Sequence, residues 1–226
     1  VEEITLNKNQ YSLAEEDYIK AIYHLSQQNQ EALTNDIAER LETKPASVSD
    51  MLKKLADKKV VNYVKYKGVT LTEEGVKIAL ELVRKHRLWE VFLVEKLNFT
   101  WDEVHEVAEQ LEHINSPLLI ERLDEFLGFP KFDPHGDPIP DAKGEFLVKP
   151  HVPLGEMEIG QVGRVVAVQD ISALFLQYLN KVGIYIGAKV SITDKIEYDG
   201  SLEVLLDDKK TILVSKEVAK NIFVGI

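Results

Sequence analysis

Thr34-Asn35-Asp36-Ile37-Ala38-Glu39-Arg40-Leu41, then Glu42-Thr43-Lys44-Pro45, then Ala46 to about Asp57, is the stretch whose reading decides the fold. Ile37, Ala38 and Leu41 recur at helical spacing, with Thr34 placed to cap the helix they define. The next four residues break that helix, and Val48, Met51, Leu52 and Leu55 give a second one its inward face. Two short helices joined by a turn of this length suit a helix-turn-helix, whose second helix enters the major groove of DNA. Thr43, Lys44, Ser47 and Ser49, with Pro45 among them, lie at the start of that helix and suit an approach to base edges. Lys53, Lys54 and Lys67 are expected nearer phosphates.

Working outward, residues 60–66, Gly68 and Val69-Thr70-Leu71 alternate like a β-hairpin, and Thr72 caps the helix that follows. Helix, helix, hairpin is the order of a winged helix-turn-helix; the plainer alternative is a helical hairpin with a solvated lysine face. The formal net charge of −11 argues against a protein that coats nucleic acid along its whole surface. Residues 44–67 nevertheless carry seven lysines (44, 53, 54, 58, 59, 65 and 67) against Asp50 and Asp57, a local basic footprint.

Upstream, Tyr18, Ile19, Ile22, Tyr23 and Leu25 fall on one side of a helix over residues 15–27; downstream, residues 76–97 and 102–127 have the same period. Six of the eight prolines (130, 134, 138, 140, 150 and 153) then cluster with Gly136 and Gly144, which reads as a linker. Beyond it, residues 163–168, 189–193, 202–206 and 211–214 are short β-branched runs separated by turns such as Asp199-Gly200 and Asp207-Asp208, with a helical segment at 171–181. Gly183-x-x-x-Gly187 reads as turn chemistry. The expectation is a mainly α chain with a small C-terminal β-barrel, two or three compact units in 226 residues.

The chain has no cysteine, which excludes disulfides, zinc ribbons, iron–sulfur clusters and a cysteine nucleophile. No apolar run approaches the ~20 residues that span a bilayer, and Val1, Glu2 and Glu3 show no secretion pattern, so a cytoplasmic protein with no membrane partner is expected.

The strongest chemistry lies on two helices. His86 and Glu90 share a face, and His105, Glu109, Glu112 and His113 fall within roughly 100° of arc at ~100° per residue. Carboxylates one turn apart repel, and a divalent cation removes that repulsion. Oxygen and imidazole donors without sulfur suit Mn²⁺ or Fe²⁺, with Zn²⁺ also able to bind such a site. Glu109-x-x-Glu112-His113 is also one substitution from a zinc-peptidase pattern, so a metal-dependent hydrolase stands as an alternative. A metal-binding interaction module is another.

Glu16-Asp17-Tyr18-Ile19-Lys20-Ala21-Ile22-Tyr23, the helix-turn-helix, Arg84-Lys85-His86-Arg87-Leu88-x-Glu90, Glu109-x-x-Glu112-His113 and Pro134-His135-Gly136-Asp137-Pro138-Ile139-Pro140 together resemble the diphtheria toxin repressor family, in particular its manganese-responsive branch. The resemblance covers essentially the whole chain. It implies a winged helix-turn-helix domain over 1–75, a helical metal-binding and dimerisation domain over 76–143, a linker over 144–154 and an SH3-like (FeoA-like) domain over 155–226. It implies a first metal site of Asp17, His86, Glu109, Glu112 and His113. A second site would join Glu90, Asp133, His135 and Asp170, with His105 beside them. Some manganese-responsive members carry a glutamate where Lys20 stands. The implied protein is no enzyme but a repressor that, loaded with Mn²⁺ or Fe²⁺, binds palindromic double-stranded operator DNA as a homodimer and controls metal-uptake genes. The apolar stripe over 104–127 (Val107, Leu111, Leu118, Leu119, Leu127) is the candidate dimer surface, the plain alternative being internal core, which some of it must be. Such a dimer would hold two reading helices about one DNA turn (~34 Å) apart.

Overall fold

A computed structural model describes residues 11–28, 31–64 and 67–226. Val1, Glu2, Glu3, and Lys65 and Tyr66 of the expected hairpin lie outside the described residues. The chain divides into two compact units, one drawn from Val1–His86, Glu109–Phe126 and Pro140–Glu145, the other from Arg87–Ala108, Leu127–Ile139 and Phe146–Ile226.

In the first unit α1 (Leu13–Gln28), α2 (Thr34–Arg40) and α3 (Pro45–Asp57) pack against a two-stranded antiparallel wing, β1 (Val61–Val64) and β2 (Gly68–Leu71), before α4 (Glu73–Leu97) begins. The core consists of the residues that recur at helical spacing: Ile19 and Ile22 of α1, Ile37 of α2, and Val48, Leu52 and Leu55 of α3 are all fully buried. Fully burying each such side chain contributes on the order of 1.5–3 kcal/mol before the entropy of ordering is counted. Pro45 occupies the first turn of α3, where its missing N–H costs nothing. Thr72 caps α4, its hydroxyl accepting the Gly75 amide at 3.1 Å. Thr34 does not cap α2: Leu33 holds that position with an extended backbone and no side-chain bond.

The expected single helix over 102–127 is two helices, α5 (Val104–Leu111) and α6 (Pro117–Phe126). Pro117 cannot donate to a preceding turn, and the Ser116 hydroxyl accepts the Leu119 amide at 3.4 Å, so a new helix starts there. Glu112 and His113 consequently sit in the turn after α5 rather than on its stripe. Of the apolar stripe, Leu118 and Leu119 are exposed, whereas Val107, Leu111 and Leu127 are half-buried.

The second unit contains one antiparallel sheet in the order β3-β8-β4-β5-β6-β7. Its strands are β3 (Val152–Pro153), β4 (Val162–Val168), β5 (Lys189–Lys195), β6 (Leu202–Leu206), β7 (Lys210–Val214) and β8 (Ile222–Gly225), with α7 (Ala173–Val182) and α8 (Lys216–Lys220) between them. Val165, Leu176, Leu179, Val190, Val204 and Val224 lie in its core. Four strands fall where the alternation places them; β3, β8 and α8 are too short to show a period. Gly183 ends α7 in the left-handed conformation.

The proline cluster is not loose throughout. Residues 131–139 close into a turn, with the Ile139 amide donating to the Lys131 carbonyl (2.9 Å) and the Asp133 amide to that of Asp137 (3.0 Å). At its apex Gly136 has φ +92°, and a Cβ there would lie 2.0 Å from the Val166 carbonyl oxygen of β4. No other residue fits that approach.

The β6–β7 hairpin turns on Asp207 and Asp208, both at positive φ. Asp207 accepts the Lys189 amide (2.9 Å) and the Tyr185 hydroxyl (3.0 Å), and these bonds hold its carboxyl below the usual aspartate range. A depressed folded-state pKa stabilises above the unfolded value of about 4 and is lost as the pH falls through the folded one. Asp207→Asn, which tolerates the same backbone, is therefore expected to lower the urea midpoint of this unit at pH 7 and to converge on the parent at acid pH, below the depressed folded-state value. An equal gap at both pH values would count against the ionised carboxylate.

Candidate metal centres and nucleic-acid interface

In the first unit, α1 presents Glu16, Asp17 and Lys20 to the turn after α5 and to His86 of α4. Glu112 has no solvent-accessible surface, and the Lys20 ammonium and the His86 ring lie against it. Lys20 Nζ lies 2.6 Å from its Oε1 and 2.7 Å from its Oε2, and also 2.7 Å from Glu109 Oε1. His86 Nδ1 stands 2.6 Å from Glu112 Oε2 and 3.8 Å from Glu109 Oε1. His113 Nδ1 meets Glu16 Oε2 at 2.6 Å, and its Nε2 faces Asp17 Oδ1 at 3.1 Å. Asp17 first and Glu16 next push the His113 imidazole up to about 9, against burial.

Asp17, Glu112 and His113 each offer a ligand atom, all within 4.8 Å of one another. A buried carboxylate demands positive charge beside it, and the Lys20 ammonium occupies that role here. The donors are carboxylate oxygen and imidazole nitrogen, which fit a hard or borderline divalent cation. Glu16, which sequence reasoning did not single out, is placed to orient His113 from behind. All five residues expected at the first site are in this unit, with Asp17, Glu112 and His113 forming one group and His86 and Glu109 beside it.

In the second unit Glu90, Asp133 and His135, all buried, likewise bring ligand atoms within 4.8 Å of one another. Asp133 Oδ1 accepts the amides of His135 (2.8 Å) and Asp137 (3.0 Å), which shapes the turn, while Oδ2 faces Arg87 Nε at 3.4 Å. His135 Nε2 donates to the Trp101 carbonyl at 2.7 Å, so Nδ1, 3.6 Å from Glu90 Oε2, keeps its lone pair toward the carboxylates in the neutral ring. Burial and the Glu90 charge push Asp133 up to about 7. Burial opposes protonation of His135, but Glu90 and Asp133 outweigh it and raise that imidazole to about 9. Two buried carboxylates beside one imidazole fit a divalent cation by charge and by donor type.

His105 Nδ1 is 3.6 Å from Glu90 Oε1. Asp170 is not brought to this group: its Oδ1 accepts the Ser172 amide at 2.8 Å, an Asx turn at the start of α7. Arg87 and Trp101, absent from the expected set, are its close neighbours.

On α3, Lys44, Pro45, Ser47, Lys53 and Lys54 are exposed, as is Lys67 on the wing. Ser49 is half-buried, and its hydroxyl donates to the Pro45 carbonyl (3.1 Å). Thr43 is half-buried and hydrogen-bonded to Tyr18, so it braces the turn against α1. Lys53 pairs with Asp50 at 2.9 Å. Lys54 and Lys58 both face Glu15, at 3.2 and 2.7 Å. Burial raises the Glu15 carboxyl, but Lys58, the Ser12 amide and Lys54 outweigh it and hold it at about 2.

A winged helix-turn-helix and carboxylate–imidazole centres in one chain define a class, that of DNA-binding proteins equipped to sense a divalent metal. The N-terminal DNA binding domain of the iron dependent repressors matches residues 12–69, their metal binding and dimerisation domain residues 72–141, and the FeoA domain residues 152–225. The regulator MntR of Oceanobacillus iheyensis is 36% identical over 118 residues, covering 52% of this chain and 80% of that protein. The iron-dependent repressor IdeR of Mycobacterium tuberculosis is 34% identical over 125 residues, covering 55% of this chain and 54% of that protein. A solved manganese-dependent transcriptional repressor in complex with manganese superposes with a TM-score of 0.83 at 36% identity, covering 93% of this chain and 99% of that one. The chain belongs to the diphtheria toxin repressor family.

The Trp101 ring stacks on His135, with centroids 6.2 Å apart and planes 15° off parallel. Trp101 is one of two tryptophans. In a Trp89→Phe background, Mn²⁺ is expected to quench Trp101 fluorescence, and adding His135→Ala should abolish the response. Undiminished quenching in the double variant would remove His135 from the second centre.

Proposed function

We propose that this chain is a metal-dependent transcriptional repressor that, loaded with Mn²⁺ or alternatively Fe²⁺, binds a palindromic operator as a homodimer and controls metal-uptake genes in the cytoplasm. The observation that carries this reading is the position of α1. One helix packs against α2 of the reading head and also supplies Glu16, Asp17 and Lys20 to the group formed with Glu109, Glu112 and His113.

Asp17, His86, Glu109, Glu112 and His113 would hold the first ion, and Glu90, Asp133 and His135 the second, with His105 alongside. A bound divalent cation supplies the charge that lets these carboxylates stand together. Asp17 lies ahead of the helix-turn-helix in sequence and Glu112 and His113 after it, so their convergence fixes α1, and with it α3, relative to the turn after α5 in the same unit. An arrangement favoured by the loaded site is populated at the expense of others. Oxygen and imidazole donors, together with the likeness to a manganese-dependent repressor, support Mn²⁺ ahead of softer metals. The exposed Leu118 and Leu119 support the dimer surface on α6. Lys44, Pro45 and Ser47 at the start of α3 would meet base edges, and Lys53, Lys54 and Lys67 phosphates, with Thr43 and Ser49 bracing them. The domain limits proposed are 1–75, 76–143 and 155–226, with 144–154 between the last two. Members of this family are repressors and not enzymes, which sets the hydrolase alternative aside.

Glu112→Ala or His113→Ala is expected to weaken Mn²⁺ binding by at least the roughly 10–100-fold typical of losing a residue that only supports a ligand, and to abolish Mn²⁺-stimulated operator binding while the thermal transition persists. Gel shifts with MnCl₂ or chelator read this directly, and equal operator affinity under both conditions in the unmodified protein would overturn the repressor reading. Lys54→Gln is expected to weaken operator and unrelated DNA alike and to reduce the salt slope by about one.

A further inference from the structure

Glu15 is 2% exposed although it is neither an apolar core residue nor a candidate metal ligand. Its two oxygens are divided between two helices. Oε2 accepts the Ser12 amide at 2.8 Å while the Ser12 hydroxyl accepts the Glu15 amide at 3.3 Å, a capping box that starts α1. Oε1 faces Lys58 at 2.7 Å and Lys54 at 3.2 Å, the C-cap and last turn of α3. The next two residues of α1, Glu16 and Asp17, hold the two ring nitrogens of His113. A single turn of α1 thus grips the end of the reading helix with one residue and the metal centre with the following two.

We propose that Glu15 is a positioning residue that couples the first metal centre to the reading helix, holding the end of α3 through Lys54 and Lys58 in register with Asp17. The inference rests on the repressor reading above. A carboxylate this enclosed is costly unless paired, so it resists separation from α3. Consecutive residues on a helical turn move together, so a shift of Asp17 carries Glu15, and Glu15 carries the lysines.

Glu15→Gln separates the two roles, because its amide oxygen still accepts the Ser12 N–H while the charge that holds the lysines is gone. Operator and unrelated DNA are titrated with MnCl₂ and with chelator across a salt series, and Mn²⁺ is titrated without DNA. Mn²⁺ binding in the absence of DNA and the salt slope are expected to be unchanged, since every ligand and every lysine remains. The factor by which Mn²⁺ raises operator affinity is expected to fall on the order of 10-fold. Lys58→Gln should lower the same factor, and the double variant should lower it no further than either single one.

Full Mn²⁺ stimulation in Glu15→Gln, or losses that add in the double variant, overturns the coupling. Tighter binding to all DNA with a steeper salt slope, with and without Mn²⁺, also overturns it, by showing that Glu15 only screens the lysines. An unmodified protein indifferent to Mn²⁺ defeats the repressor reading; a responsive protein unaffected by Glu15→Gln defeats this inference alone.

Discussion

The Glu112 carboxylate has no contact with solvent, and an ion in that position has to be answered by positive charge from its own surroundings. Lys20 from α1 supplies it at 2.6 Å from Oε1, and His86 Nδ1 from α4 lies 2.6 Å from Oε2. Those contacts draw three elements to one point: the helix that precedes the reading head, the helix that follows the wing, and the turn after α5. The rest of the first unit is arranged about that requirement. Ile19 and Ile22 pack α1 into the core from one face while Lys20 and Asp17 leave by another, so the position of the helix answers to apolar packing and to charge together. A divalent cation meets the same demand more strongly than an ammonium. Under the function proposed above, that is how one buried carboxylate makes the geometry of a DNA-reading unit depend on metal.

The second unit solves a related problem with a tighter device. Glu90, Asp133 and His135 are all buried, and two of the three come from a stretch dense in proline. The prolines do not loosen it. They fix φ on either side of a turn that Asp133 closes through two backbone amides, and Gly136 lets that turn approach β4 more closely than any side chain would permit. Trp101 completes the site by accepting the Nε2 proton of His135, leaving Nδ1 to the carboxylates. Asp170 lies outside this group, its Oδ1 accepting the Ser172 amide at the start of α7.

What the sequence by itself determined is whatever depends on near neighbours along the chain. Ile37, Val48, Leu52 and Leu55 repeat with the period of a helix, Thr72 stands one residue before α4, and Val69 to Leu71 alternate, so the winged helix-turn-helix is legible without coordinates. So are four strands of the sheet and the residue types of both centres. Pro117 and Ser116 even announce the break between α5 and α6, although the apolar period on either side conceals it. Tertiary structure alone decided which polar groups meet. Glu16 lies 97 positions from the His113 it orients, and Lys20 92 from Glu112. Arg87 and Trp101 come to the second group, and Lys54 and Lys58 to Glu15, through packing that no local pattern encodes. A helical period specifies which face is apolar. It does not specify which of the remaining charges will be buried together, because that is settled by the cost of leaving any one of them unpaired.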